Sequence, residues 1–497
     1  MNRQIHQVTI LVLVMFLTLC TSVTSVQGLA RPALWEASSS QGTLTTDSRN
    51  SRTVYAEFGT DRGQIIVGGD AIADSVPSDD AYAYQRIYPQ DELYAPITGY
   101  FSTYFASTTG LERAGNKLLN GEDPSLFSSR VKSLITGQTP QGGSLELTID
   151  PEIQQAAWDA LAGRRGSVVA LNPSTGAILA MVSSPSYDPN QLASHDGETA
   201  QAAWDALIED EGRPLDNRAI GGNLYPPGST FKILTVAAGL RTGKITANSE
   251  VDAPDTLTLP GTNHALSNYA SESCGNGRVT LAYAFAESCN TPFAQLAMDV
   301  GDEALADEAS RWGFGSDLSI PLPVSRSVYP ANDEIAQTAM AGIGQQSVRT
   351  TPLMMAMVAA TVANDGEQMV PYLISQTLDA DLQVVSTTKP TVARTPIDSD
   401  TAATLTSLMQ ETVNSGTGTP AQVAGVSVAG KTGTAQTGSD DGGPITWFIG
   451  FAGTDINNPT VAVAVVLDGG EQIPTTGTGG SVAGPIAASV IDAAVDQ

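Results

Sequence analysis

The chain has 497 residues, 41% of them apolar and 15% charged, a composition that builds a buried core and argues against disorder. At roughly 150 residues per domain the length predicts two or three domains. With 24 basic against 52 acidic residues the net charge is −28, a surface that repels polyanions and excludes nucleic acid as a natural partner. Only three cysteines and three histidines are present, too few to favour a structural zinc cluster or histidine-based catalysis, so no metal or cofactor is expected. A general base is then sought among lysines and carboxylates.

Residues 8–20 are strongly apolar, Val23 and Val26 extend the run, and Arg3 precedes it. This pattern predicts a short cytoplasmic tail over residues 1–7 and a transmembrane anchor over residues 8–28, with an uncleaved or cleaved secretory signal as the competing reading. Both readings put the bulk of the chain outside the cytoplasm. Cys20 is not a lipidation signal, because Leu19 is too large for the position before it. Residues 31–144 are polar, with short strand-like runs such as 64–67 between Gly and Asp turns, and read as an extracytoplasmic pedestal without a catalytic cluster.

The texture changes at residue 145, where a second domain extending to residue 497 is expected. Residues 145–149 alternate into Asp150-Pro151, a helix start, and residues 152–161 carry helical spacing. Two β-rich runs, 167–171 and 177–182, flank Asn172-Pro173-Ser174-Thr175-Gly176 and predict a hairpin, so the sheet is at least partly antiparallel. Residues 231–240, 281–286 and 352–363 are apolar around too much of their circumference for surface helices. Strand candidates recur at 426–428, 446–452 and 460–467, and a last helix spans about 483–495. Hairpin, helices, then consecutive strands and a closing helix give an α+β fold with an antiparallel sheet between helical layers.

The chemistry starts at Pro226-Pro227-Gly228-Ser229-Thr230-Phe231-Lys232. The prolines impose an extended approach, Gly228 permits a tight bend, and Ser229 opens an apolar helix whose free N–H groups favour negative charge. Lys232, three positions on, lies over the same face and is within reach of the Ser229 hydroxyl. Buried at the mouth of that helix it is a neutral amine, a competent base toward serine. The same heptad also describes a capped helix with a solvated lysine beside it. Two other S-x-x-K matches, Ser129–Lys132 in the pedestal and Ser386–Lys389 before Pro390 in an expected loop, open no buried helix.

Two more clusters bear on the choice. Ser288-Cys289-Asn290 follows the apolar helix at 281–286, and Lys431-Thr432-Gly433-Thr434 continues a strand. There Gly433 leaves room for a ligand along the strand, Thr432 and Thr434 offer hydroxyls, and Lys431 is a candidate carboxylate anchor. S-x-x-K, S-x-N and K-T-G in that order resemble the penicillin-recognising serine enzymes. The chain is similar to the monofunctional class B penicillin-binding proteins, in particular the actinobacterial penicillin-binding protein A type. The similarity extends through Arg62-Gly63, Gly110-Leu111-Glu112, Leu147-Thr148-Ile149-Asp150, Gly342-Ile343-Gly344-Gln345 and Trp447-Phe448-Ile449-Gly450-Phe451-Ala452.

The resemblance implies the penicillin-binding transpeptidase fold, an antiparallel sheet sandwiched by helices plus an all-helical subdomain, on a smaller, partly β pedestal with one N-terminal transmembrane helix. It implies a D,D-transpeptidase in which Ser229 attacks the D-Ala–D-Ala bond of a peptidoglycan stem peptide. Lys232 would take the proton of Ser229, Ser288 and Lys431 would pass one to the departing D-alanine, and Asn290 would orient Lys232. Thr432, Gly433 and Thr434 would hold the substrate carboxylate, or that of a β-lactam, with the N–H groups of Ser229 and Thr434 as oxyanion hole. A second stem peptide's amine then resolves the acyl-enzyme. Expected partners are the stem peptides, β-lactams, the cell membrane and other cell-wall synthesis proteins. A D,D-carboxypeptidase or β-lactamase with the same residues is the alternative, and a glycosyltransferase domain does not fit the short pedestal. Cys289 has Cys274 fifteen residues before it. Outside the cytoplasm such a pair is expected to form a disulfide beside the site, the alternative being two buried thiols.

Overall fold

The structure is a computed structural model that describes residues 12–19, 59–127, 130, 132, 135, 141–263, 265–268, 273–435, 443–469, 473, 474 and 476–495. Residues 1–59 and 60–497 are separate units. In the first, residues 12–19 are helical and exposed, and the rest of the expected anchor, Cys20 included, lies outside the described residues. Among the described residues no helix is long and apolar enough to cross a membrane.

In the second unit the chain begins with strands β1 (Ile65–Val67), β2 (Asp70–Pro77) and β3 (Tyr84–Ile87), followed after several short helices by β4 (Ser144–Leu147). The β1–β2 turn is made by Gly68 and Gly69, both at positive φ (58° and 90°), where a side chain would be strained. Beneath these strands the Glu112 carboxylate bridges two guanidinium groups, with Arg62 Nε at 2.5 Å and Arg86 Nε at 2.7 Å. All three side chains are buried.

Asp150 caps helix α1 (Pro151–Leu161), its carboxylate accepting from the N–H of Glu152 at 2.9 Å and of Ile153 at 3.1 Å. Then come the hairpin β5 (Gly166–Leu171) and β6 (Ile178–Ser184), and α2 (Gly197–Glu209). A 3₁₀ turn, Gly228–Phe231, leads into α3 (Lys232–Arg241). The helical middle supplies α4 (Leu281–Ala286), α5 (Thr291–Val300), α6 (Ile335–Gly342) and α7 (Pro352–Ala363). A hairpin of β7 (Ile374–Leu378) and β8 (Val384–Thr387) precedes α8 (Ser399–Asn414). The chain closes with β9 (Ser427–Ala435), β10 (Ile445–Gly453), β11 (Val461–Leu467) and α9 (Gly484–Val495).

Two sheets result. The central one has the order β9-β10-β11-β5-β6, antiparallel throughout. Helix α7, buried from Pro352 to Val362, packs on one face, and α1 and α9 cover the other. Because both faces are covered, β11 is buried at every position and its sequence, VAVAVVL, shows no polar alternation. The second sheet has the order β8-β7-β4-β1-β2-β3. Its outer hairpin therefore comes from residues 374–387, deep in the stretch assigned by sequence to the catalytic domain. A boundary at residue 144 cannot capture this, since strand pairing joins segments far apart in the chain. Ser386 accordingly lies in a strand rather than the expected loop.

Candidate active site

The Ser229 turn is shaped by what it touches. Gly228 has φ +54° and donates its N–H to Gly344 O at 2.9 Å; a Cβ on Gly344, itself at φ +73°, would sit 2.0 Å from Gly228 O. The Thr230 hydroxyl donates to Pro227 O at 2.7 Å and the buried Trp447 indole donates to Pro226 O at 3.0 Å, tying the turn to β10. Ser229, Ser288, Asn290, Thr432 and Thr434 line one cavity of about 340 Å³, together with Asn268, Tyr283, Glu287, Thr417, Thr478, Gly479 and Gly480 among others. Five of the eight residues proposed from sequence thus share one cleft.

The two lysines stand behind the cavity wall, both fully buried. Lys232 Nζ donates to Ser288 O and Cys289 O, each at 2.8 Å, and to Asn290 Oδ1 at 2.9 Å. Lys431 Nζ donates to Ser288 Oγ at 2.7 Å and to Thr432 O at 3.2 Å. Ser288 is therefore gripped by both amines, one on its carbonyl and one on its hydroxyl. It sits at φ +56°, a left-handed conformation that costs a residue with a side chain roughly 1 kcal/mol or more. Each amine lies 5.4 Å from the centroid of a phenylalanine ring, Phe293 for Lys232 and Phe285 for Lys431. Among the described residues neither forms an ion pair. Burial without a counter-ion disfavours the ammonium form. It pushes Lys232 well below the ordinary lysine range, with the neighbouring Lys431 adding to the effect. Burial likewise lowers Lys431 to about 7, opposed in part by Glu287.

Three expectations need correction. Among the described residues the Ser229 hydroxyl has no hydrogen-bond partner, so the Ser229–Lys232 contact anticipated from spacing is not made. Ser229 belongs to the 3₁₀ turn rather than to α3, and three acceptors draw the amine toward the Ser288–Asn290 segment. Lys431 is no surface anchor for a carboxylate, because it points inward to Ser288. Gly433 does not line the cavity; a Cβ there would lie 2.8 Å from Pro227 O and 3.1 Å from the Trp447 Cβ. Its lack of a side chain lets β9 approach the Ser229 turn, not a ligand. The period of two along the strand puts Lys431 and Gly433 on one face and Thr432 and Thr434 on the other.

Residues that sequence reasoning passed over do much of the positioning. Asn268 Oδ1 accepts from the N–H of Asn290 at 2.8 Å and of Thr291 at 3.1 Å, capping α5 from a remote loop. The Thr417 and Thr432 hydroxyls are 2.7 Å apart, and Thr417 donates to Ala286 O at 3.1 Å, linking β9 to the end of α4. The N–H of Gly479 donates to the Thr434 hydroxyl at 3.2 Å. No local signal marks a lone Asn or Thr for such work. Cys274 and Cys289 are joined by a disulfide at the cavity wall, with Cα atoms 6.0 Å apart. Of the decoys, Lys132 makes an exposed ion pair with Asp381, and Ser129 lies outside the described residues.

A serine on a helix-initiating turn, two buried amines meeting at a second serine and an edge strand carrying two hydroxyls define a serine acyl-transfer site. Residues 166–492 match the penicillin binding protein transpeptidase domain and residues 62–145 the penicillin binding protein A dimerisation domain; the chain belongs to the penicillin-binding transpeptidase family. It is 43% identical to the peptidoglycan D,D-transpeptidase PbpA of Mycolicibacterium smegmatis, over 100% of both chains. The PbpA of Mycobacterium tuberculosis is 41% identical over 100% of this chain and 99% of that one. Among solved structures, penicillin-binding protein A from M. tuberculosis as its ceftriaxone acyl-enzyme superposes with a TM-score of 0.84 at 43% identity, covering 88% of this chain and 99% of that one. Its penicillin G acyl-enzyme gives 0.82 at 44% identity, with coverage of 88% and 99%.

Proposed function

We propose that this protein is a peptidoglycan D,D-transpeptidase that cross-links stem peptides through an acyl-enzyme on Ser229 and is itself acylated there by β-lactams. The observation that carries this reading is the meeting of Lys232, Lys431 and Ser288 within 2.8 Å contacts behind the cavity that Ser229 opens onto. The acyl-enzyme complexes of its M. tuberculosis relative support it.

The donor peptide lies along the free edge of β9, the terminal strand of its sheet, and its carboxylate is held by the Thr432 and Thr434 hydroxyls. Lys232 is the base. Three acceptors occupy all three hydrogens of an ammonium, whereas a neutral amine has two hydrogens and a lone pair. Burial already favours the neutral amine, so substrate binding has to exchange one of the three acceptors for Ser229 Oγ, whose hydrogen the amine lone pair accepts. As Oγ attacks, the N–H groups of Ser229 and Thr434 stabilise the oxyanion, a contribution of about 10²–10³ in rate per donor. Ser288, hydrogen-bonded to Lys431, then passes a proton to the leaving D-alanine, and an amine of a second stem peptide takes the acyl group.

The apolar run at residues 8–28 supports a single-span membrane anchor with the body of the chain outside the cytoplasm, where other cell-wall synthesis proteins are natural partners. Fractionation of cells into membrane and soluble protein tests the anchor. For the chemistry, the full-length chain is incubated with penicillin and its intact mass followed over hours. A lasting adduct on Ser229, absent in Ser229→Ala, is expected; rapid turnover of the drug would point instead to hydrolysis.

A further inference from the structure

Two side chains on the cavity wall have no part in acyl transfer as set out above. Tyr283 and Glu287 stand one helical turn apart at the end of α4, and Glu287 closes the helix with αR backbone (φ −78°, ψ −2°). At a separation of four residues their side chains share a face. Tyr283 is 44% exposed and Glu287 is exposed as well. Among the described residues neither the phenol oxygen nor the carboxylate has a hydrogen-bond or ion-pair partner. Among the described residues Glu287 is also the one acidic side chain that lines the cavity, and no lysine or arginine lines it.

An open carboxylate beside an aromatic ring is the chemistry that receives a cation, by charge and by the negative face of the ring. The donor peptide brings a carboxylate, which this wall repels toward Thr432 and Thr434. The acceptor brings an amine, which at neutral pH arrives as ammonium. Resting on the acyl-transfer reading, we infer that Tyr283 and Glu287 form the subsite that holds the acceptor's ammonium group and so favours the amine over water.

The step balances. The amine nitrogen bonds to the acyl carbon and the bond from that carbon to Ser229 Oγ breaks. Of the two protons the ammonium loses, one ends on Oγ and one in solvent. Glu287 and Tyr283 raise the local amine concentration; they make and break no bond.

The test uses the full-length chain, an N-acyl-D-alanyl thioester as donor and two competing nucleophiles: D-lysinamide, which is cationic, and hydroxylamine, which is uncharged at pH 7. The ratio of aminolysis to hydrolysis product is read within each variant, so changes in acylation rate cancel. Glu287→Gln is expected to lower the D-lysinamide ratio about tenfold and Tyr283→Leu about threefold, while the hydroxylamine ratio stays within about twofold. An unchanged D-lysinamide ratio in both acylating variants, or equal losses for both nucleophiles, overturns the inference alone. A wild-type chain that forms no acyl-enzyme overturns the proposed function and this inference with it.

Discussion

The pedestal and the cleft bury charge in opposite ways. Under β1–β3, Glu112 is clamped between Arg62 and Arg86, and Tyr88 and Asn116 take further hydrogen bonds in the same cluster. Burial alone would raise the Glu112 carboxyl, yet the two guanidinium groups hold it below the usual carboxylate range. In the cleft, Lys232 and Lys431 are buried to the same degree but face carbonyls, an amide and a hydroxyl. A buried charge with its partner is a fastening. Without one, it drifts toward its neutral form and becomes a base.

The comparison can be broken by substitution. Lys232→Met removes the base and leaves an apolar side chain in an apolar surround. Acylation by penicillin should fall about 10²–10⁴-fold with the urea midpoint unchanged or raised. A large loss of stability would place Lys232 with the fastenings instead. Glu112→Gln is the mirror experiment, stranding two buried guanidinium groups. It should cost about 3–5 kcal/mol in unfolding free energy while the folded fraction still acylates.

Protonation sharpens the contrast. Lys431 titrates at about 7 when folded and near its ordinary 10.5 when unfolded. Between those values the unfolded chain binds more protons, so its burial penalty is present in full below pH 7 and disappears as pH rises toward 10.5. Stability should therefore climb over that window by a few kcal/mol, and Lys431→Met should flatten the climb. Glu112 runs the same way at lower pH, its contribution holding above the carboxylate range and vanishing as pH drops through its depressed folded value, so there too stability rises with pH. The smallest effect is expected at Gly433→Ala. Its methyl, 2.8 Å from Pro227 O, should push β9 off the Ser229 turn at a cost of about 1–3 kcal/mol in acylation barrier or stability.

Much of this was legible locally. Helices 281–286 and 352–363 and the hairpin around Asn172–Gly176 follow from periodicity and turn residues, and their bounds match Leu281–Ala286, Pro352–Ala363 and β5–β6 closely. The three motifs were visible because each packs several chemically telling residues into a few positions. Gly433 was read correctly as a place of close approach and wrongly as to what approaches. The recruitment of β7 and β8 into the pedestal sheet, the cap supplied by Asn268 and the Thr417–Thr432 contact had no local mark, since each partner lies 15 residues or more away.

The amino-acid order by itself determined which groups were on hand: a serine where a helix begins, two lysines in apolar runs, and a covered sheet built from hydrophobic strands. Those follow from propensity and patterning, which act over a few neighbouring residues. Only the tertiary structure decided that Lys232 rests on the Ser288–Asn290 segment and not on Ser229, that Lys431 faces Ser288, and that among the described residues no carboxylate forms an ion pair with either amine. Proton affinity depends on solvent exclusion and on charges within a few ångströms, and both are properties of packing between distant segments.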